Sequence, residues 1–370
     1  MMSDPTASVM LPVSEQGYSI LVQFKIAILN ISSADRKVFC QRISKQLRLG
    51  DFPFIFAGVL LAKRERLTEA EDMLSMATKN SFAQHLKRYL GSRNPLSVSP
   101  YASESALPLN AWTRTPISCL EMRKTVAAFT EFALAGKRLV GGETLSILDI
   151  GTGNGILLSL LVNRLTQVHK FPIVRLFLLD SSAEMLRVAS HNCRQIVSVP
   201  LHISTIHRPI ELLGKAHISS LQKENLTFTM SAGCLHHLPD KRKQHAFSLI
   251  RKFSQKLLME ELEANHDLPD TDSPELVWSV QCFYSSLINS VKHSRLTPLE
   301  KRKCIDDFLL AEAVGILEHP RNTRGNFHTV CNEWSRIAHA GGFQVSGIRT
   351  TILNKHGLRS LAFDLTSDLS

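Results

Sequence analysis

The chain has 370 residues, 44% of them hydrophobic, with a formal charge of +10 and a pI near 9.3. That length and balance exclude a fibrous or disordered chain and suit one large domain with insertions, or two domains. No apolar run reaches the ~18 residues needed for a bilayer span, no basic n-region precedes an apolar core as in a classical secretory leader, and the seven scattered cysteines form no C-x-x-C pair.

Dispersed cysteines of odd number suggest reduced thiols in a cytosol-like compartment, and no zinc spacing appears, so no metal is expected. The expected location is cytoplasmic, with non-classical secretion left open. Residues 1–16 read as flexible. From about 17 to 92 the pattern is helical: one amphipathic helix begins at Leu67, and Phe82, Leu86, Tyr89 and Leu90 fit a stripe of period 3.6. Gly91–Pro116, rich in Ser, Pro and Asn, reads as a linker. Ile117–Ala135 reads as a helix leading to a Gly141-Gly142 turn.

From 145 onward strand and helix alternate, the signature of a parallel sheet covered by helices. Strands are predicted at 145–150, 174–179, 198–203, 226–231, 256–262, 343–350 and 358–365, the last two antiparallel around Asn354–Gly357. Helices are predicted after Asn154, Ser181, Pro209, Pro239, Ser273, Pro298 and Phe327. The stretch 267–340 is longer than one crossover needs and reads as a helical insertion. The basic triplets Lys241-Arg242-Lys243 and Lys301-Arg302-Lys303 read as solvated helix starts. With charge spread along the chain, nucleic acid is disfavoured as a partner, while a homodimer is allowed.

The first strand ends in Asp149-Ile150-Gly151-Thr152-Gly153-Asn154-Gly155, followed by an apolar helical pattern. Glycines there let the backbone approach a ligand, and the helix start offers free N–H groups. The spacing differs from the dinucleotide G-x-G-x-x-G, and no lysine follows as in a P-loop. The second strand runs into Asp180, whose carboxylate can accept both hydroxyls of a ribose; Ser181, with Glu184 three residues on, reads as a helix cap. The D-x-G-x-G-x-G run resembles motif I of class I S-adenosylmethionine (SAM) methyltransferases. That resemblance implies SAM as cofactor, held by Asp149, Gly151, Thr152, Gly153, Gly155, Asp180, Ser181 and Ser231.

Ligands of open α/β sheets bind beyond the carboxyl ends of the strands. After the fourth strand, Leu235-His236-His237-Leu238-Pro239 resembles the cleft-lining segment of small-molecule methyltransferases. After the fifth, alternation puts Glu261, Glu263 and Asn265 on one face. The run Glu261-x-Glu263-Ala264-Asn265-His266 resembles the E-x-E-A-N-H segment of the GRAS family, plant transcriptional regulators with bacterial relatives. The likeness continues through Phe283-Tyr284-Ser285-Ser286, Glu312, Glu318, His328, Trp334 and Gly341-Gly342-Phe343, over roughly 260–345. It departs at Phe327 and Thr329, where the family has arginine and glutamate. The plant-type leucine-heptad regions and VHIID run are missing, while the glycine loop, often degraded in plant members, is intact.

The expected fold is therefore α/β: a Rossmann-like class I methyltransferase sheet of seven strands. A helical cap would come from the N-terminal helices and an insertion between strands five and six. Residues 1–116 would form the cap region and linker, and 117–370 the SAM-binding domain with the insertion at about 267–340. The expected activity is methyl transfer to a small-molecule acceptor. Glu263, His266 and His237 are candidate bases, and His236, Asn265, Tyr284 and His328 candidate acceptor contacts. A non-catalytic GRAS-like ligand-binding or protein-interaction module is the alternative. A macromolecular methyltransferase is disfavoured, because Ser231-Ala232-Gly233-Cys234 stands where many base N-methyltransferases carry asparagine-proline-proline-tyrosine.

Overall fold

The computed structural model describes residues 11–92, 106–135, 144–169, 174–264, 266–353 and 359–367. The Gly141-Gly142 turn, the 354–357 connection and Asn265 lie outside the described residues. The chain divides into two compact units, one made of 1–100 and 265–326, the other of 101–264 and 327–370.

The second unit is built on a seven-stranded sheet. Its strands are β1 (Leu145–Ile150), β2 (Val174–Asp180), β3 (Leu201–His207), β4 (Phe228–Ala232), β5 (Lys256–Glu263), β6 (Gln344–Leu353) and β7 (Arg359–Thr366). They lie in the order β3-β2-β1-β4-β5-β7-β6. The β1–β5 pairs are parallel, and β7 runs antiparallel to β5 and β6. Every residue of β1 is buried, as expected of a central parallel strand covered on both faces. Its alternation divides the core. Leu145 and Ile147 pack with Phe129, Leu161 and Leu258 on one side. Leu148 and Ile150 pack with Phe247, Met259, Trp334 and Phe343 on the other. Each such side chain contributes roughly 1.5–3 kcal/mol by leaving water. This three-layer α/β arrangement is the Rossmann-like fold of class I methyltransferases.

All seven predicted strands are present in the predicted order, β1 with the predicted bounds and the others with shifted ends. The largest shift is at β3, predicted from 198 but starting at Leu201. Pro200, which has no N–H to donate, stands before it and accepts from Val174 N through its carbonyl. The helix Ala183–Ile196 is capped by Ser182, which accepts from Met185 N, and not by Ser181. Glu184 closes no capping box and instead pairs with Arg187. The expected linker also needs correction: Leu107–Trp112 is helical, and Pro116 already opens the helix Pro116–Leu134. The stretch read as one insertion divides, since Cys331–Ala340 packs with the sheet while 265–326 belongs to the other unit.

That other unit is helical. Glu15–Ile28, Ser33–Leu47, Phe52–Ala62, Leu67–Met76 and Ser81–Ser92 join Pro274–Lys292, Pro298–Cys304 and Ala311–Glu318, with a π-helical turn over Ile305–Leu310. The apolar helix Phe52–Ala62 is buried nearly all round, and Phe52 stacks on Phe56 and meets Trp278 edge-on. Buried Arg36 caps the end of the first helix by donating to the carbonyls of Ile28 and Ile31, and it pairs with Glu69. Hydrogen bonds from Arg66 and Arg36 hold the Glu69 carboxyl down at about 2. No described helix is long and apolar enough to cross a membrane.

In the sheet unit, buried Glu260 on β5 and half-buried Glu121 on the helix Pro116–Leu134 form a carboxyl pair beside Ser360. Burial first, then the Glu121 charge, pushes the Glu260 carboxyl well above its ordinary value. A raised carboxyl holds its proton in the folded state after the unfolded state has lost it, so stability falls as pH rises above the unfolded value near ~4.3. Glu260→Gln should raise the free energy of unfolding at pH 8, seen as a higher urea midpoint. The gain should shrink toward zero near pH 4; a gain independent of pH would contradict the assignment.

Candidate functional site

The carboxyl ends of β1 and β2 and the loop between β1 and its helix form one hydrogen-bonded unit. Gly151 N and Thr152 N both donate to Leu179 O, at 2.8 and 3.2 Å. Gly153 N donates to Asp180 Oδ2 at 3.0 Å, and Ser182 N to Asp180 Oδ1 at 2.8 Å. Thr152 Oγ1 donates to Asp149 Oδ2 at 2.8 Å. Gly151 and Gly155 have φ of +66° and +71°, a region that costs residues with a Cβ. Space is closed there as well. A Cβ on Gly151 would lie 2.2 Å from Cys234 Sγ, and one on Gly155 2.9 Å from Ala189 Cα.

The predicted cofactor residues therefore come together, apart from two that sit at the margin. Ser181 is exposed on the turn after β2 and its carbonyl meets His207 Nε2 at 2.9 Å. Ser231 is fully buried on β4 and is the register partner of Ile150. Asp149 is 4% exposed. Burial pushes its carboxyl up to about 7, against the Thr152 hydrogen bond and with help from the Asp180 charge. Burial also raises Asp180, opposed by the N–H groups of Ser182 and Gly153. Two neighbouring carboxyls held out of water favour a ligand with positive charge near Asp149.

The sequence reading missed what packs on this loop. Asn154 Nδ2 donates to Asn110 Oδ1 at 3.0 Å and Thr113 Oγ1 at 3.1 Å, and Asn192 Nδ2 donates to Asn154 O at 2.8 Å. Leu109 lies over Gly153. Leu109, Asn110 and Thr113 belong to the short helix hidden in the apparent linker or directly follow it, whereas Asn192 stands on the helix Ala183–Ile196; the one local signal of the short helix was Pro108, which suits the first turn of a helix.

The second cluster forms beyond β4 and β5. Glu261 is fully buried at the end of β5, and its Oε1 accepts from Cys234 N at 3.1 Å and Leu235 N at 2.6 Å. Its Oε2 lies 2.9 Å from His236 Nδ1. Burial raises the Glu261 carboxyl, opposed first by the Leu235 N–H. The His236 ring stacks on His328 at 4.6 Å and lies 4.0 Å from the ring of His237. His328 arrives because Phe327 N donates to His236 O at 2.7 Å and Thr329 bridges to Glu263.

Glu263 does not have the setting of a base. Its Oε1 accepts from Cys331 N at 3.1 Å and its Oε2 is ion-paired with Arg359 Nη1 at 3.0 Å. A guanidinium and a helix N-terminus thus already occupy this carboxylate. His266 and Tyr284 belong to the helical unit, where the His266 ring stacks face to face on Phe283 at 3.8 Å and meets Tyr284 edge-on at 5.8 Å. The structure thus brings His236, His237 and His328 together, and His266 with Tyr284. Lys243, expected in solvent, is fully buried: its Nζ donates to Phe327 O at 2.5 Å and lies 4.6 Å from the centre of the Trp334 ring.

No protein-family model matches the sequence. No curated protein matches it either. Solved structures do resemble it. SCL7 of Oryza sativa, a GRAS-family protein, is 14% identical with a TM-score of 0.54, over 81% of this chain and 89% of that one. The carbon methyltransferase CurJ is 13% identical with a TM-score of 0.47, over 83% and 70%. Magnesium protoporphyrin IX methyltransferase from Synechocystis PCC 6803, solved with bound SAM, is 12% identical with a TM-score of 0.41, over 72% and 99%. The SCL7 likeness agrees with the class I fold read from the strand order.

The loop geometry predicts an order of costs. Gly155→Ala should destabilise most, because its methyl meets the main chain of Ala189, and Gly153→Ala least, because only Leu109 need move. Positive φ alone costs about 1–3 kcal/mol at each. Urea melts of the three variants check this; equal losses would contradict it.

Proposed function

We propose that the chain is a SAM-dependent methyltransferase acting on a small-molecule acceptor. The observation that carries this is the glycine loop, closed between Leu179, Cys234 and Ala189, with buried Asp149 beneath it and Asp180 at the end of β2. The residues fit the cofactor: Asp149 offers a desolvated carboxylate to an ammonium group, the loop offers backbone without Cβ atoms, and Asp180 keeps acceptor capacity for ribose hydroxyls. SAM, when bound, supplies a methyl group on a sulfonium.

Catalysis would then rest on alignment and on removing the acceptor's proton. His236 replaces Glu263 as the proposed base. With Glu261 accepting from Nδ1–H, Nε2 is left as the acceptor nitrogen, and the carboxylate favours the imidazolium that forms. The neighbouring histidines, His237 and His328, would position the acceptor.

Calorimetric titration of SAM and S-adenosylhomocysteine is the test. Wild type should bind both, and Asp180→Ala should weaken binding about 10- to 100-fold, the worth of a hydrogen bond to a charged group. His236→Gln should keep SAM affinity and lose turnover of an acceptor found by screening. Failure of the wild type to bind either ligand would overturn the cofactor assignment and favour a GRAS-like interaction module.

A further inference from the structure

Where the helix Pro116–Leu134 covers the sheet, polar groups stand at both ends of the contact, and charge is balanced at one end only. Lys256, Leu258 and Glu260 alternate along β5, and Asp364, Ala362 and Ser360 along β7. Both triplets share the face on which Leu258 and Ala362 pack with Phe129 and Phe132. At one end Lys256 pairs with Asp364 at 3.3 Å and donates to Ala135 O. At the other, Ser360 Oγ donates to Glu121 Oε1, and Glu121 is hydrogen-bonded to Glu260. No basic side chain among the described residues acts on either glutamate, and the further charge felt by Glu260, that of Glu261, is also negative.

Three buried oxygens beside this pair have no hydrogen-bond partner: Glu260 Oε1, Thr125 Oγ1 and Thr351 Oγ1. Their residues are 7%, 1% and 0% exposed. Thr125 follows Glu121 by one helical turn, a spacing that sets Cβ atoms about 5–6 Å apart. Thr125 lies on the buried stripe that continues through Phe129 and Phe132. Thr351 is the extra residue of a β-bulge. Thr350 pairs with Leu361 and Ile352 with Ser360, so Thr351 and Ile352 both oppose Ser360. Thr351 is buried although Ile348, Arg349 and Thr350 before it are exposed.

A proton shared between the carboxyls would leave one negative charge and the orphaned oxygens, and such oxygens are rare in a folded interior. A cation answers both. Donors that are all oxygen select a hard ion, and two carboxylates balance a divalent one. Calcium takes about six to eight oxygens in flexible geometry, whereas magnesium keeps several waters, which suits a buried site poorly. Half-buried Glu121 gives the ion a way in.

We propose that Glu121, Thr125, Glu260, Thr351 and Ser360 form a calcium site that pins the helix Pro116–Leu134 to β5, β7 and the bulge of β6. The site is independent of methyl transfer by the sheet unit.

The full chain, freed of metal with EDTA and dialysed, is titrated at pH 8 and fixed ionic strength with calcium, magnesium and sodium chlorides, read by calorimetry and melting temperature. Calcium at about 100 times its dissociation constant should raise the melting temperature by several degrees. Magnesium should do less and sodium nothing. Glu260→Gln, the more stable protein without metal, should lose the calcium response, its affinity falling about 10-fold or more with the ligand charge. Thr351→Val should bind calcium more weakly than wild type. No calcium binding by the wild type, an equal response in Glu260→Gln, unchanged affinity in Thr351→Val, or magnesium matching calcium would each overturn the proposal. A pair that only shares a proton gives the first of these results. Should either variant fail to fold, Glu121→Gln repeats the test from the half-buried end.

Discussion

The Glu261 carboxylate joins the end of β5 to the loop after β4 and, through it, to the glycine loop. It stands where β5 ends and collects three donors from the loop after β4, namely Cys234 N, Leu235 N and His236 Nδ1. Those bonds set the path of Cys234, and the Cys234 side chain in turn occupies the space a Cβ on Gly151 would need. Gly151 answers by bonding back to Leu179 on β2. A continuous line of contacts thus runs from β5 through the β4 loop to the glycine loop and β2. A change at Glu261 would disturb the histidine cluster and the glycine loop together, because buried donors left without an acceptor cost about 1–3 kcal/mol each.

The acidic groups at the strand ends have divided roles. Glu263 is compensated within the protein by Arg359 and the start of the helix Cys331–Ala340. Asp149 has one hydroxyl partner, Thr152, and Asp180 has backbone N–H groups from Gly153 and Ser182. Hydrogen bonds from neutral donors offset desolvation without cancelling charge. The region around Asp149 and Asp180 is therefore set to receive a cation, whereas the region around Glu263 is electrically closed. That contrast moves the proposed base from Glu263 to His236.

The sheet was legible because its signals are local. A strand buried on both faces reads as a continuous apolar run, and Leu145–Ile150 with its glycine loop declared both strand and turn. The alternating edge strand β3 was placed three residues early, since Val197-Ser198-Val199 carries the same β-propensity as the strand itself. The site was legible in residue types and less so in pairings. The sequence names Glu261, Glu263, His236 and His266 as chemistry-bearing, but nothing in the spacing tells which carboxylate meets a histidine and which meets Arg359. That choice depends on antiparallel β7, whose register sets Arg359 opposite Glu263. The helix Leu107–Trp112 was hidden because six residues opened by a proline resemble a turn as much as a helix.

Lys243 shows how far pattern and environment can diverge. Three consecutive basic residues at a helix start suggest a solvated face, and Lys241 and Arg242 are indeed exposed. A helix turns about 100° per residue, so the third member of the triplet points inward. There Lys243 bonds to Phe327 O, pairs with Asp240 at 3.0 Å and lies on the Trp334 ring. Phe327 N bonds to His236 O. One buried ammonium therefore ties the returning chain at 327–328 to the loop that carries His236, and the stacking of His328 on His236 follows from that tie. The basic triplet belongs to the architecture of the histidine cluster, and the excess charge of the chain is to that extent internal.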